Sequence, residues 1–327
     1  MPVRILNQSD VQRLISQADA LTVVRDAFIA MDAGRAVMPR PLELYLPDRD
    51  GELHVKGACL LDAPVFALKI ASGFYGNTKL GLPVSNGMTM VYDAGTGMLR
   101  VLILDGGLLT QLRTAAAGAL AADMLARPDA QTAAVIGVGI QARHQLRALL
   151  EVRRIHKVVA YGRSRQATDR YVDEMSALGV HIVAADTVSE AVAGADVIIT
   201  VTPSTRPLLR LEWLAPGAHV TAVGSDMPHK QELDPGVLAA ADKYVPDSID
   251  AALSSGELHH AVESGAFDIG SVYGELAAVA SGRLPGRERA DELTVADLTG
   301  LGIQDAAVAA FVAERAQELQ TGECFGT

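Results

Sequence analysis

The feature that most constrains the fold is a glycine-rich turn between an apolar run and a helical segment. Residues 131–150 read QTAAVIGVGIQARHQLRALL, where AAVI precedes the glycines Gly137 and Gly139. The turn departs from the G-x-G-x-x-G pattern only by Ala142 at its last position. The first glycine permits a tight turn, and the second lets backbone approach a pyrophosphate at the helix start. The spacing therefore predicts a strand, turn and helix that bind a dinucleotide.

Strand and helix segments alternate after this turn. The apolar runs KVVAYG, HIVAAD, DVIITVTP and AHVTAVG follow it at intervals suited to crossover helices. Uninterrupted Val, Ile and Ala runs are typical of strands buried on both faces of a parallel sheet. The pattern predicts an α/β fold, with a Rossmann-type doubly wound parallel sheet over residues 130–245 or so.

The chain before this unit has a different texture. Residues 9–34 place apolar residues at helical spacing, with Ser9 as the expected N-cap and Gly34 as the stop. From about 41 to 104, short alternating segments separated by Pro, Gly, Asn and Asp predict an antiparallel sheet. An Ala-rich helix follows, and the change of texture sets a domain boundary near residue 120. The C-terminal amphipathic helix could belong to either half.

The second strand of the nucleotide unit ends without the carboxylate that commonly binds the ribose of NAD. Gly162 is followed there by Arg163, Ser164 and Arg165. Two arginines and a hydroxyl could bind the 2′-phosphate of NADPH, although such arginines are also commonly solvated loop charges. The segment slightly favours NADPH and leaves NADH open.

Several charged residues outside the glycine-rich turn could bind or protonate a substrate. Lys69 interrupts the apolar segment VFALKIA, Arg113 lies in the first turns of the Ala-rich helix, and Arg40 lies in MPRP. Isolated cations are costly to bury, so the three could form a carboxylate pocket, although each alone could extend to solvent. Asp226 follows the fifth strand, where such folds bind substrates, and is either a proton-transfer group or a helix cap.

Composition and charge exclude several partner classes. The net charge of −11 has the wrong sign for a protein held mainly by phosphate backbones, so no nucleic-acid partner is expected. No long uncharged apolar stretch or basic leader is present, and the two cysteines match no disulfide framework. We expect a cytoplasmic protein without a membrane partner. No metal site is predicted, because His259 and His260 diverge on a helix and no third ligand is evident nearby.

Four segments, taken in order, resemble the ornithine cyclodeaminase and mu-crystallin family. They are KIASGFYGNTKLGLP, LTQLRTAAAGALAADMLARPDA, VIGVGIQARHQL and AVGSDMPHKQEL, and the resemblance spans roughly residues 36–235. It implies a Rossmann domain, here residues 121–299, joined to an α+β substrate-binding and dimerisation domain. That second domain is built from both chain ends, residues 1–120 and about 300–327, and the resemblance also implies a homodimer.

The same resemblance implies roles for individual residues. The residues that match Arg40, Lys69 and Arg113 bind the substrate carboxylate, while the residue that matches Asp226 handles the proton. We expect Asp226 or Lys69 to supply the proton in this chain. With the residues of the two loops described above, the candidate cofactor-binding positions are Arg113, Gly137, Gly139, Ile140, Gln141, Gly162, Arg163, Ser164, Thr202, Val223, Gly224 and Lys230.

One departure from the family pattern bears on the substrate. Lys56 stands where the ornithine enzymes carry a glutamate for the distal amine, and a cation would repel that amine. Together with His54 it would favour a second carboxylate, provided that both side chains point into the site. The sequence pattern is most similar to that of the family's ectoine-utilisation and iminosuccinate reductase branch.

These observations lead to one expected reaction and two alternatives. We expect NADPH- or NADH-dependent reduction of a small α-imino acid to an amino acid, with iminosuccinate to aspartate favoured. The first alternative is a redox-neutral, ammonia-releasing cyclodeaminase of a diamino acid such as ornithine. The second is a non-catalytic, NADP- or ligand-binding protein of the crystallin type.

Overall fold

The chain forms two compact units in a computed structural model that describes residues 2–326. The first unit comprises the residues up to 113 and those from 301 onward, and the second comprises residues 114–300. The division falls inside the Ala-rich helix, directly after Arg113, whereas the sequence texture placed it near residue 120.

Strands and helices are numbered separately along the chain. The strands are β1 (Val3–Asn7), β2 (Ala36–Val37), β3 (Leu42–Leu46), β4 (Gly51–Leu60), β5 (Val65–Phe74), β6 (Ser85–Asp93), β7 (Leu99–Leu104), β8 (Thr132–Ile136), β9 (Lys157–Tyr161), β10 (His181–Ala184), β11 (Val197–Thr200), β12 (Thr205–Leu209), β13 (His219–Ala222), β14 (Gln231–Leu233), β15 (Lys243–Pro246), β16 (Thr294–Asp297) and β17 (Glu323–Phe325). The helices are α1 (Gln8–Leu14), α2 (Gln17–Asp32), α3 (Leu108–Leu125), α4 (Ile140–Val152), α5 (Arg165–Met175), α6 (Val188–Val192), α7 (Pro235–Ala239), α8 (Ile249–Ser255), α9 (Glu257–Glu263), α10 (Leu276–Ala280) and α11 (Gly302–Glu318).

The first unit is built on one sheet with the strand order β17-β1-β7-β6-β5-β4-β2, and β3 also pairs with β4. The pairs from β4 to β7 are antiparallel, as the alternating segments predicted. Strand β1 differs, because it pairs in parallel with β7. Helix α11 packs on β4 and β5. A Cβ on Gly302 would lie 2.4 Å from the Gly57 carbonyl oxygen, so the helix can approach the strand closely only with glycine there.

The two N-terminal helices begin at capping boxes. The Asn7 side chain accepts a hydrogen bond from the Asp10 backbone N–H, and Asp10 accepts one from the Asn7 N–H. Ser16 and Asp19 make the same exchange before α2. The prediction that Ser9 caps the first helix is wrong, because Asn7 satisfies the free N–H groups there and Ser9 lies within the first turn.

The second unit contains a parallel sheet with the order β10-β9-β8-β11-β13-β16-β15. All strands are parallel, and the chain adds strands outward on one side of β8 (β9, β10) and then on the other side, from β11 onward. This reversal of strand order makes the unit a Rossmann-type doubly wound fold, as predicted. Successive side chains of β8 enter different cores, Val135 one and Ile136 the other, so these strands need apolar residues throughout. Strand β16 lies well beyond residue 245 and was not predicted.

The sequence predicted neither a membrane-spanning helix nor a disulfide bond. Within residues 2–326, no helix is both long and apolar enough to cross a membrane. Cys59 and Cys324 are both free thiols.

Candidate active site

Two lysines face each other across neighbouring strands of the first unit. Lys56 on β4 is the register partner of Lys69 on β5, so both side chains leave the same face of the sheet. His54, two residues before Lys56, shares that face. All three are buried, and Lys69 is only 4% exposed. The structure thus places Lys56 and His54 on the same buried face as Lys69.

A carboxylate from the other end of the chain binds two of the predicted cations. Asp305 Oδ2 lies 3.0 Å from Lys69 Nζ, and Arg113 Nε donates to Asp305 Oδ1 at 2.9 Å. Arg113 Nη1 also donates to the side-chain oxygen of Gln304 at 2.9 Å. We call Lys56, Lys69, Arg113 and Asp305 the cation cluster.

Sequence reasoning missed Asp305 and Gln304, because 192 positions separate Asp305 from Arg113. A usable signal was present, since Gln-Asp interrupts the apolar start of α11 in GIQDAAVAAF. Both residues are buried there. A buried polar pair at the start of an apolar helix indicates a specific partner elsewhere in the fold.

The surroundings adjust the charge of this cluster. Burial, followed by the neighbouring Arg113 and Lys56, outweighs the attraction of Asp305 and lowers the pKa of Lys69 to about 7. Burial raises the pKa of Asp305, but Arg113, Lys69 and Lys56 together bring it below its ordinary value. Near neutral pH, Lys69 can therefore gain or lose a proton while Asp305 stays ionised.

Arg40 is not part of this cluster. It is exposed in the segment between β2 and β3, and among the described residues no hydrogen bond or ion pair links it to Lys69 or Arg113. Its predicted role in binding the substrate carboxylate stays a prediction.

In the second unit, the glycine-rich turn lies between β8 and α4. Gly137 has a φ of +109°, and a Cβ there would lie 2.5 Å from the Val201 carbonyl oxygen, so only glycine fits without strain. Gly139 is the N-cap of α4, and no atom lies within 4 Å of its Cβ position. Free N–H groups at this helix start, with open space beside them, fit the pyrophosphate of a dinucleotide.

The neighbours of this turn complete the loop. Ile140 and Gln141 form the first turn of α4, where Ile140 is exposed. Arg143, which the sequence analysis overlooked, donates from Nη1 to the carbonyl oxygens of Val138 and Gly139 at 2.7 and 3.0 Å. It thereby fixes the loop and brings positive charge near the predicted anion site.

The segment after β9 offers one cation without an ion-pair partner. A Cβ on Gly162 would lie 2.5 Å from Val138 Cγ2, so packing favours glycine here whatever the cofactor. Ser164 caps α5, and Arg165 pairs with Asp169 and Asp186 at 2.8 and 2.6 Å. Both arginines are exposed, and Arg163 forms no ion pair with a described residue.

A buried glutamate joins the loops that follow β11 and β13. The backbone N–H and hydroxyl of Thr202 donate to Glu232 Oε1 at 2.6 and 2.7 Å. The Gly224 N–H and the Thr200 hydroxyl each donate to Oε2 at 2.8 Å. Burial raises the pKa of Glu232 to about 7 despite these bonds. Glu232, which was not predicted, thus fixes Thr202 and Gly224 at the carboxyl edge of the sheet, and Val223 lies buried beside them.

Asp226 and Lys230 form an ion pair in the next loop. Lys230 Nζ lies 2.7 Å from Asp226 Oδ1, and Lys230 is buried whereas 39% of the Asp226 side chain is exposed. Asp226 is the N-cap of none of the helices within residues 2–326, so the capping alternative is wrong. The partly exposed carboxylate is accessible for proton transfer.

The prediction that no third metal ligand lies near His259 and His260 is also wrong. His259, His260 and Glu263 each bring one possible ligand atom within 4.8 Å of the others. One ring nitrogen of each histidine already contacts a backbone carbonyl oxygen, of Leu253 and Lys230 respectively. Glu263 is exposed, and we assign no metal to the group.

The chain is similar to known enzymes over its whole length. The model of the ornithine cyclodeaminase/mu-crystallin family matches residues 2–320. A Sinorhizobium fredii protein described as an uncharacterised cyclodeaminase is 42% identical over 99% of this chain and 98% of its own length. The alanine dehydrogenase of Archaeoglobus fulgidus is 36% identical, with 98% of each chain covered.

Solved structures have the same fold. The Thermococcus litoralis Δ1-pyrroline-2-carboxylate reductase in complex with NADH and L-proline has a TM-score of 0.95 at 31% identity, covering 98% of this chain and 99% of that one. An archaeal alanine dehydrogenase dimer with bound NAD has a TM-score of 0.93 at 35% identity, covering 100% and 99%. The Paracoccus denitrificans iminosuccinate reductase in complex with NAD⁺ has a TM-score of 0.91 at 31% identity, covering 100% of both chains.

Proposed function

The chain belongs to the ornithine cyclodeaminase/mu-crystallin family, and we propose that it is an NAD(P)-dependent oxidoreductase that reduces a small α-imino acid. Its relatives with solved structures include reductases of Δ1-pyrroline-2-carboxylate and of iminosuccinate. Among the substrates of such enzymes, we propose iminosuccinate, which is converted to aspartate. The observation that carries this choice is the pairing of Lys56 with Lys69 on one buried face.

Residues of the second unit would hold the cofactor. The N–H groups at the start of α4, beside Gly139, would bind the pyrophosphate, and Arg143 would keep the turn in place. Glu232 would hold the loops of Thr202 and Gly224 in a fixed arrangement. When bound, the nicotinamide supplies a hydride for reduction of the imine carbon. Arg163, exposed and without an ion pair, would contact the 2′-phosphate if NADPH is used.

Residues of the first unit would hold the substrate. Arg113 and Lys69 would bind the α-carboxylate, as cations held in fixed positions by Asp305. Reduction of an imine to an amine also requires a proton on nitrogen. Lys69, with its pKa lowered to about 7 mainly by burial, can donate that proton, and Asp226 is the second candidate donor.

Lys56 distinguishes between substrates with different distal groups. Its side chain lies opposite Lys69, so a distal ammonium placed beside these two lysines would be repelled. A distal carboxylate would be attracted, which favours the four-carbon imine over the three-carbon imine of pyruvate. His54, which lies 3.8 Å from both Glu43 and Glu52, is less suited to this role because acidic groups flank it.

Glu52 supports the cyclodeaminase alternative. It is buried on the same face as Lys56, and its Oε1 accepts a hydrogen bond from the Tyr75 hydroxyl at 3.0 Å. A carboxylate there could bind a distal amine. However, Glu52 lies four residues from Lys56, roughly 13 Å along the strand, and Lys56 is the closer group to Lys69. The non-catalytic alternative is disfavoured because Lys69, Arg113 and Asp226 are all present.

The assembly and location are also proposals. The sheet face opposite the cation cluster carries apolar side chains, and Leu42 and Leu44 on β3 are 60% and 47% exposed. We propose that the chain forms a homodimer through this face; one related alanine dehydrogenase is also a dimer. Light scattering of the purified protein should give twice the chain mass. The cytoplasmic location stays a prediction.

A cofactor-consumption assay separates the three functions. Purified protein is mixed with ammonia and oxaloacetate, pyruvate or glyoxylate, with NADH and NADPH in turn, and loss of the reduced cofactor is followed. We expect oxaloacetate with ammonia to be the fastest pair and aspartate to be the product. Ammonia release from ornithine without net cofactor change would establish the cyclodeaminase instead. Cofactor binding without turnover of any substrate would favour the crystallin-type protein.

A further inference from the structure

One carboxylate stands among three buried cations of the first unit. Lys56 comes from β4, Lys69 from β5 and Arg113 from α3, while Asp305 comes from α11. Asp105, just after β7, is a further acidic group that interacts electrostatically with Asp305. All of these side chains are more than nine-tenths buried, so water screens their interactions little.

Each oxygen of Asp305 has a different partner. Oδ1 accepts from Arg113 Nε, and Oδ2 faces Lys69 Nζ. The carboxylate therefore sets the separation of the two cations as well as compensating their charge. Gln304, the preceding residue on α11, binds the Arg113 guanidinium at a second nitrogen and fixes its plane.

We infer that Asp305 is a positioning residue, which holds Lys69 and Arg113 at the spacing that a substrate carboxylate needs. This inference rests on the proposed function for the identity of the substrate, but the arrangement of the cations does not depend on it. Asp305 need not touch the substrate. It acts through the two side chains that do.

The charge of Asp305 also sets the protonation of Lys69, and through it the pH dependence of any step that Lys69 takes part in. Burial, Arg113 and Lys56 lower the pKa of Lys69, and Asp305 opposes them. Asparagine at position 305 would remove the opposing charge and leave the three lowering effects in place. The pKa of Lys69 would then fall further below 7, and Lys69 would be neutral over more of the pH range. As pH is raised, the rate of a step that needs protonated Lys69 would therefore begin to fall at a lower pH than in the wild type.

The test compares Asp305→Asn with Asp305→Glu and with Glu314→Gln. Glu314→Gln is the matched control, because it removes the same charge from an exposed position of the same helix. For Asp305→Asn we expect KM for the imino acid to rise about tenfold or more, with the alkaline limb of the pH–rate profile moved to lower pH. NADH affinity should change less than KM for the imino acid, since Arg113 is the one candidate cofactor-binding residue, within the described part of the chain, that Asp305 is seen to bind.

The other variants distinguish a positioning role of Asp305 from a role in fold stability alone. Asp305→Glu keeps the charge and should retain the wild-type pH limb while raising KM, because the carboxylate is one methylene longer. An Asp305→Asn protein with lowered Tm but wild-type KM and pH profile would show that Asp305 only stabilises the fold. If Asp305→Asn does not fold, a displaced alkaline limb in Asp305→Glu would overturn the inference.

An activity-independent measurement separates this inference from the proposed function. Lysine ammonium signals can be titrated by NMR, with Lys69→Met identifying the Lys69 signal. A lower Lys69 pKa in Asp305→Asn than in wild type supports the positioning role even if no imine is reduced. An unchanged Lys69 pKa refutes it even if the wild-type enzyme reduces iminosuccinate.

Discussion

Replacing Lys56 by glutamine should change which imine the enzyme prefers. Lys56 shares a buried face with Lys69, so a second substrate carboxylate there would lie in a poorly solvated environment. Two opposite unit charges about 4 Å apart interact by roughly 4 kcal/mol at an effective dielectric constant of about 20. That energy corresponds to about a thousandfold in affinity and is an upper value for the loss of kcat/KM toward the dicarboxylic imine.

Lys56→Gln should also have a second, smaller effect, which is common to all substrates because it acts through the pKa of Lys69. Burial, Arg113 and Lys56 together lower the pKa of Lys69 to about 7. Without the Lys56 charge, that pKa should rise and the alkaline limb of the pH–rate profile should move to higher pH. Rates with different imines must therefore be compared on the plateau of each variant.

The assay measures kcat/KM for oxaloacetate plus ammonia and for pyruvate plus ammonia. In Lys56→Gln the first value should fall by about a hundredfold to a thousandfold, and the second by less than about threefold. Lys79→Gln, which removes an exposed lysine of the same unit, is the control and should leave both values unchanged. Equal losses for the two imines in Lys56→Gln would refute the argument that Lys56 binds the second carboxylate.

Three further substitutions test the other proposed roles. Arg163→Ala should raise KM for NADPH by about tenfold and leave KM for NADH nearly unchanged, because only NADPH carries a 2′-phosphate; equal changes would remove Arg163 from the cofactor site. Asp226→Asn should reduce kcat by about a hundredfold and also lower Tm somewhat, because the buried Lys230 loses its charged partner; a fully active variant would show that Asp226 transfers no proton. Gly137→Ala should lower Tm and weaken NADH binding, since its Cβ would lie 2.5 Å from the Val201 carbonyl oxygen; wild-type binding by this variant would contradict the turn geometry.

The sequence was sufficient for the parts of the fold that repeat a local pattern. The strand, turn and helix around Gly137 were predicted because glycine spacing and apolar runs are local signals. Strand β16 was not predicted, because only Val295 and Ala296 lie between Thr294 and Asp297, so its apolar run is too short to mark a strand. The parallel pairing of β1 with β7 was missed for a different reason, since pairing of distant strands leaves no mark in either segment.

The residues of the candidate site also fall into those that the sequence predicted and those that only the fold brings together. Lys69 and Arg113 stood out because each is a cation in an apolar segment. Glu232 did not, because a single acidic residue in a short strand is ordinary until its partners are known. Asp305 was missed although the Gln-Asp pair interrupts an apolar helix start, because that pair gives no indication of its distant partners. Glu232 receives four hydrogen bonds from residues on two other strands and their loops, an arrangement that only the fold brings about.

The pairing of β1 with β17 brings the two ends of the chain side by side, with Val3 opposite Phe325. During synthesis, residues 114–300 leave the ribosome as one contiguous unit, whereas the first unit stays incomplete until α11 and β17 emerge. The nucleotide unit can therefore fold first. Adjacent ends also suit a circular permutant, in which a short linker joins them and new ends open in an exposed loop. If the new ends lie within residues 114–300, Asp305 is synthesised before Lys69 and Arg113.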